Sequence, residues 1–212
     1  MNKKDGYGRS PEPVEFIEID SDEMMLWMYC PIKAPKTALV IPPNLEHVRP
    51  LIDLVYNREI ELDDKYIYVT AKRAWVSTHT ANRRGWHCDG FLSDDINYIW
   101  HDCHPTEFWI GKTALTQDDN IALEEMEELT KKREYKETSH NKYLYRLDEF
   151  NIHRVNTAPF EGFRTFIKIS ISDKFYDHAG NSINHNLNLE KPSRARRIER
   201  NNPSTCCFYA RT

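Results

Sequence analysis

The period of the apolar positions changes twice along this 212-residue chain, and those changes mark out its elements. Thr37–Ile41 is a β-branched run that predicts a strand, stopped by Pro42-Pro43. Leu45, Val48, Leu51, Ile52 and Val55 then recur at helical spacing and predict a helix over 45–56 with Asn44 as its cap. Pro50 inside that pattern lacks an amide donor and crowds the preceding turn, so the helix should kink or split there. Beyond it, β-branched and aromatic runs predict strands over Tyr66–Ser77, Trp86–Phe91, Ile96–His101, Thr106–Leu115, Tyr143–Leu147, Asn151–Asn156 and Arg164–Ser172. Asp119-Asn120 opens a charged stretch, 121–134, with Leu123, Met126 and Leu129 on one side, which predicts a short surface helix. Residues 1–22 read as a leading arm with a short strand at Val14–Ile19. Many short strands with one early helix predict a mainly β protein, closed or two-layered and antiparallel, rather than a helix bundle.

Composition narrows the class. With 40% hydrophobic and 29% charged residues, the chain suits one soluble domain with a substantial core, expected over 1–186. The remainder, 187–212, is a basic tail carrying Lys191, Arg194, Arg196, Arg197 and Arg200. Such a tail is either a solvated or packing arm, or an arm that binds phosphate. A net charge of −4 gives no global attraction to nucleic acid or to an anionic membrane. No apolar run approaches the length of a membrane span, and the N-terminal residues lack the apolar core of a signal peptide. Five cysteines, one pair of them adjacent and none in a C-x-x-C, argue against a disulfide framework. A cytoplasmic location is expected.

The candidate chemistry lies in Gly85-Trp86-His87-Cys88-Asp89-Gly90. Residues i and i+2 of extended backbone share a face, so His87 and Asp89 can bind one metal while Cys88 points away. A His-x-Asp alone carries little weight, and a third ligand must come from elsewhere. His153, in the alternating segment Phe150–Val155, can supply it. Two imidazoles and a carboxylate fill three corners of an octahedron and leave the opposite face open, the set expected of non-haem Fe(II) oxygenases. Alternation in Arg164–Ser172 puts Arg164, Phe166, Lys168 and Ser170 on one face. An arginine on a cavity-facing strand needs an anion, either a ligand carboxylate held bidentately or an internal acid. The turn over 158–162 is expected to set His153 and Arg164 on adjacent antiparallel strands.

The order His87-x-Asp89, His153, Arg164 resembles the Fe(II)/2-oxoglutarate-dependent dioxygenases over roughly residues 66 to 173. The resemblance implies a double-stranded β-helix (jelly-roll) core with a few flanking helices. It implies that His87, Asp89 and His153 bind Fe(II) and that Arg164 pairs with the distal carboxylate of 2-oxoglutarate. It further implies hydroxylation of a substrate C–H by O2, with formation of succinate and CO2. Phe166 departs from the pattern, since many members carry Ser or Thr there, and Thr106 is the candidate hydroxyl in its place. Asp89 as a carboxylate disfavours the halogenating branch.

Other assignments compete. Cys88, His101, Cys103 and His104 could be taken for a zinc site, although the spacing fits no standard module. His101 and His104 otherwise read as surface residues, or supporting ones, in the loop beside the site. Trp86, Phe91, Trp100 and Trp109 are either cavity walls or plain core. A non-catalytic cupin-like binder of metal or ligand would carry the same fold. Arg73, Arg83 and Arg84, with the tail, could form a phosphate-binding rim for a nucleotide or nucleic acid. The favoured partners remain 2-oxoglutarate and a substrate that is a small molecule, a nucleotide or a protein side chain.

Overall fold

A computed structural model describes residues 2–77, 85–132 and 136–194. The protein is mainly β, with antiparallel sheets and two α-helices. The strands are β1 (Lys3–Tyr7), β2 (Glu12–Phe16), β3 (Met25–Lys33), β4 (Tyr66–Ser77), β5 (Ile96–His101), β6 (Thr106–Trp109), β7 (Thr113–Thr116), β8 (Lys136–Thr138), β9 (Tyr143–Leu147), β10 (His153–Val155) and β11 (Glu161–Ser172). Helix α1 spans Arg49–Arg58 and α2 spans Asp119–Lys132.

Six strands form the large sheet in the order β2-β9-β5-β11-β4-β3. At its centre β11 is hydrogen-bonded on both sides, to β4 along its whole length and to β5 from Phe166 to Ile171. Its alternation divides two environments. Ile167, Ile169 and Ile171 join Val69, Ala71 and Trp100 on the outer face, under Leu51, Ile52 and Val55 of α1. Phe166, on the other face, packs with Ile99, Tyr145 and Leu147 against Phe108 of β6. That inner layer meets the small sheet, ordered β10-β6-β8, to which His87 adds an antiparallel bridge with His153. A third cluster, with Trp86, Trp109, Met126 and Ile152 buried, joins the back of the small sheet to α2 and to the β1-β7 pair. Apolar packing on both sides of each sheet is what fixes the strand ends that carry the site.

Several expectations change. Thr37–Ile41 is not a strand; the Val40 amide bonds to Ile32 and its carbonyl accepts from Asn184. The strand nearby is β3, whose alternation is broken by two register shifts. Pro50 splits the early helix as expected, with a 3-10 turn over Pro43–Val48 before α1. Asn44 lies inside that turn and no side chain caps it. The Thr106–Leu115 run is two strands in different sheets, β6 and β7, separated at Ile110–Lys112. Helix α2 opens at Asp119 as expected, and Asp118 caps it by accepting from the amides of Asn120 and Ile121. The leading arm holds two strands, β1 and β2, rather than one. His153 and Arg164 do not sit on adjacent strands: β10 belongs to the small sheet and β11 to the large one. The turn between them crosses the sandwich.

Of the basic tail, the described part folds back onto the body, where Arg194 bonds to Asp177 and Ala179. Arg196, Arg197 and Arg200, and the loop with Arg83 and Arg84, lie outside the described residues. Arg73 is paired with Asp102 and Thr165. Among the described residues no helix is long and apolar enough to cross a membrane.

Candidate metal centre

His87, Asp89 and His153 converge, with one potential ligand atom from each lying within 4.8 Å of the others. The backbone brings this about through the two-residue bridge, in which His87 and His153 exchange amide-to-carbonyl hydrogen bonds of 3.0 and 2.9 Å. Their rings stand 4.5 Å apart. Asp89 follows where the chain turns, with Gly90 at φ 77° directly after it. A Cβ at residue 90 would come within 3.0 Å of the Asp95 carbonyl, so glycine suits the turn on both counts.

Both imidazoles are oriented from behind. Nδ1 of His87 lies 2.9 Å from the Gly85 carbonyl and Nδ1 of His153 lies 3.0 Å from the Asn151 carbonyl. A carbonyl can only accept, so each Nδ1 donates to it and Nε2 is the nitrogen left to face a metal. This is the arrangement that metal-ligating histidines use. Nε2 of His153 is 3.7 Å from Oδ2 of Asp89, room for an ion between them after small adjustments. The donor set therefore fits a divalent ion of the borderline class.

Lys168 contacts this group and was not singled out from sequence. Its Nζ lies 3.0 Å from Oδ2 of Asp89 and 3.1 Å from the Tyr29 hydroxyl. Burial alone would raise the Asp89 carboxyl, but Lys168 and the two imidazoles outweigh it and hold the group well below the usual range. Asp89 is thus ionised, as a ligand must be. The signal for Lys168 was present in the β11 alternation, which put it on the face of Arg164; its reach to Asp89 was not.

Arg164 is 5% exposed and stands on the same inner face, four residues or about 13 Å along the strand from Lys168. Its Nε donates to the carbonyls of Cys103 and His104, each at 3.1 Å, and its guanidinium lies 5.1 Å from the Phe166 ring centre. Among the described residues no carboxylate makes an ion pair with it. Burial lowers its pKa to about 10, which still leaves it charged at neutral pH. Thr106 is buried on β6, on the interior side with Phe108, and its backbone is bonded to Ser139. The ring of Phe166 offers Arg164 a π face and no hydrogen bond.

The rival zinc grouping does not assemble. Cys88 lies against Met126, His101 bonds to Ser139, Cys103 donates to Phe163 O, and His104 meets Asn156 O. Burial and Asp102 push the Cys103 thiol up to about 12, away from the thiolate that zinc requires. His101 is not a surface loop residue; it is fully buried at the end of β5. Trp86, Trp100 and Trp109 are core, Trp100 on the face turned away from the inner layer, and Phe91 packs against the α2 cluster.

Compared with protein-family models, curated proteins and solved structures, the chain matches none, so its own geometry carries the functional reading.

Proposed function

We propose that the protein is an Fe(II)- and 2-oxoglutarate-dependent oxygenase that hydroxylates a C–H bond. The observation that carries this reading is the convergence of two back-anchored imidazoles with one carboxylate, facing a layer that also holds a buried arginine with no ion-pair partner among the described residues. The strand order supports the jelly-roll form of the fold. In chain order β4, the His87 segment, β5, β6, β8, β9, β10 and β11 fall to large, small, large, small, small, large, small and large sheet. Such shuttling between two sheets is how a double-stranded β-helix winds.

In this reading Fe(II), when bound with 2-oxoglutarate and O2, would supply the oxidation, with one oxygen atom for the substrate C–H as hydroxyl and the other for succinate as CO2 leaves. His87, Asp89 and His153 would hold the ion, one atom from each, and would leave the remaining positions for exogenous ligands. Arg164, with Thr106 as hydroxyl partner, receives the distal carboxylate; a desolvated guanidinium with Asp102 nearby but no carboxylate in contact among the described residues is a strong site for one. Ile99, Phe108, Tyr145 and Phe166 exclude water between the sheets. Cys30, Cys88 and Cys103 are outside any disulfide, which fits a reducing, cytoplasmic setting.

The test is succinate formation from 2-oxoglutarate, screened against nucleotides, amino acids and peptides, with His87→Ala as control. The reading expects Fe(II)-dependent succinate in the wild type and none in the control; equal turnover in both would refute the ligand assignment. The close filling of the inner layer by aromatic rings favours a second reading, a non-catalytic cupin-like binder. Tight metal binding with no succinate from any panel member, or from 2-oxoglutarate alone, selects it.

A further inference from the structure

The ammonium of Lys168 is an unexpected neighbour for a metal ligand, because it repels any cation bound there. A site shaped for metal affinity alone would not keep it. Yet Lys168 is 7% exposed and lies on the central strand of the large sheet, with β11 pairing it to Thr70 on one side and Ile99 on the other.

Its second partner is built with equal care. Tyr29 lies in a bulge of β3 and has φ 46°, a left-handed conformation that is strained for a tyrosine. The amide of Tyr29 donates at 3.0 Å to the hydroxyl of Thr70, the residue directly opposite Lys168 in the β4-β11 register. Its ring packs edge-on to Tyr176 at 5.3 Å, and Tyr176 in turn donates to Asp95 at 2.8 Å. The strained backbone is thus held so that the Tyr29 hydroxyl accepts from Lys168 at 3.1 Å, under a ring centre 4.8 Å away. Lys168 cannot swing from Asp89 without losing both contacts.

We infer that Lys168 is a positioning residue that restricts Asp89 to one strong oxygen donor on a bound divalent ion, keeping open the positions that a chelating dicarboxylate needs. This rests on the oxygenase reading. A carboxylate beside a divalent ion can close on it with both oxygens and take a further position. Oδ2, which accepts from the ammonium at 3.0 Å, is also the oxygen that faces Nε2 of His153 at 3.7 Å, so Lys168 fixes that one oxygen toward the ion and keeps the carboxylate from turning both oxygens onto it. The charge works in the same direction. A divalent ion and an ammonium exceed the single charge of Asp89, and a dianionic cosubstrate offsets the excess.

The experiment is calorimetric titration of the full chain with Mn(II), then of the Mn(II)-loaded protein with 2-oxoglutarate. Lys168→Met should bind Mn(II) at least as tightly as wild type, because a repelling charge is gone, while binding 2-oxoglutarate about ten-fold more weakly. Lys168→Arg, which keeps charge and donor, should recover most of that loss. Tyr29→Phe removes one anchor, should weaken 2-oxoglutarate about three-fold with Mn(II) unchanged, and carries the test if the buried methionine prevents folding. Unchanged 2-oxoglutarate affinity in Lys168→Met, or in Tyr29→Phe where the methionine variant does not fold, overturns the inference alone. Loss of Mn(II) binding in Lys168→Met also overturns it, by showing a plain structural role. A wild type that binds neither Mn(II) nor 2-oxoglutarate overturns the oxygenase reading itself.

Discussion

His101 illustrates how a single buried side chain sets the behaviour of the surrounding protein. Its Nε2 lies 2.6 Å from the Ser139 hydroxyl, it is fully buried, and burial with the nearby Arg164 charge pushes its pKa down to about 3. The folded pKa is below the unfolded one, so the unfolded chain binds the extra proton between those values. Stability is therefore complete above the unfolded value near 6.5 and falls as the pH drops from there toward 3. The limiting slope is about 1.4 kcal/mol per pH unit for this one group. Urea titrations of wild type and His101→Gln between pH 7 and pH 4 check this; the variant should lose less stability over that window. An identical acid limb in both would remove His101 from the account. At this scale the triad was legible in the sequence, because i, i+2 spacing and an alternating histidine segment are chemical patterns. Lys168 and Tyr29 were not, since nothing local says which residues a bulge and a sheet register will bring to Asp89.

Between elements, Trp109 shows how close packing fixes a strand end. It is fully buried where β6 stops, and the chain returns past it through Gly111, whose amide donates to Gly8 at 2.9 Å. A Cβ on Gly111 would lie 2.4 Å from the indole, and one on Gly8 would lie equally close. Gly111→Ala should therefore cost about 1–3 kcal/mol by displacing the ring. Chemical denaturation monitored by tryptophan fluorescence reads this, and an alanine variant as stable as wild type would show that the indole has room. Strands β4, β5, β9 and β11 were readable because each alternates between one face on an apolar layer and another facing a different layer. The break between β6 and β7 at Ile110–Lys112 was missed because apolar and β-branched residues stand on both sides of Gly111-Lys112. Thr37–Ile41 misled for the opposite reason: β-branched residues there satisfy their backbone through Ile32 and Asn184 without joining a sheet. The pairing of β10 with β6, and of β11 with β4 and β5, is a non-local choice that periodicity cannot express.

Across the whole molecule, the metal ligands come from the small sheet and the turn after His87, while Lys168 and Arg164 come from the large sheet. An ion that binds the folded state therefore ties the turn at Asp89 to the paired His87 and His153 of the small sheet. At a thousand-fold excess over its Kd the linkage is worth about 4 kcal/mol, which in a chain of this size raises Tm by about 10 °C. Thermal unfolding with Mn(II), with and without a chelator, should show that shift in wild type and none in Asp89→Ala. The architecture itself was legible only as mainly β with two layers, since composition and alternation give strands but not their order.

The central claim is that His87, Asp89 and His153 hold a divalent ion with open positions facing the Arg164 layer. Its most direct test is the visible spectrum of the protein with Fe(II) and 2-oxoglutarate in the absence of oxygen. A charge-transfer band that needs both additions, and is lost in His153→Ala, is the predicted result. A spectrum that is the sum of its components in the wild type would contradict it.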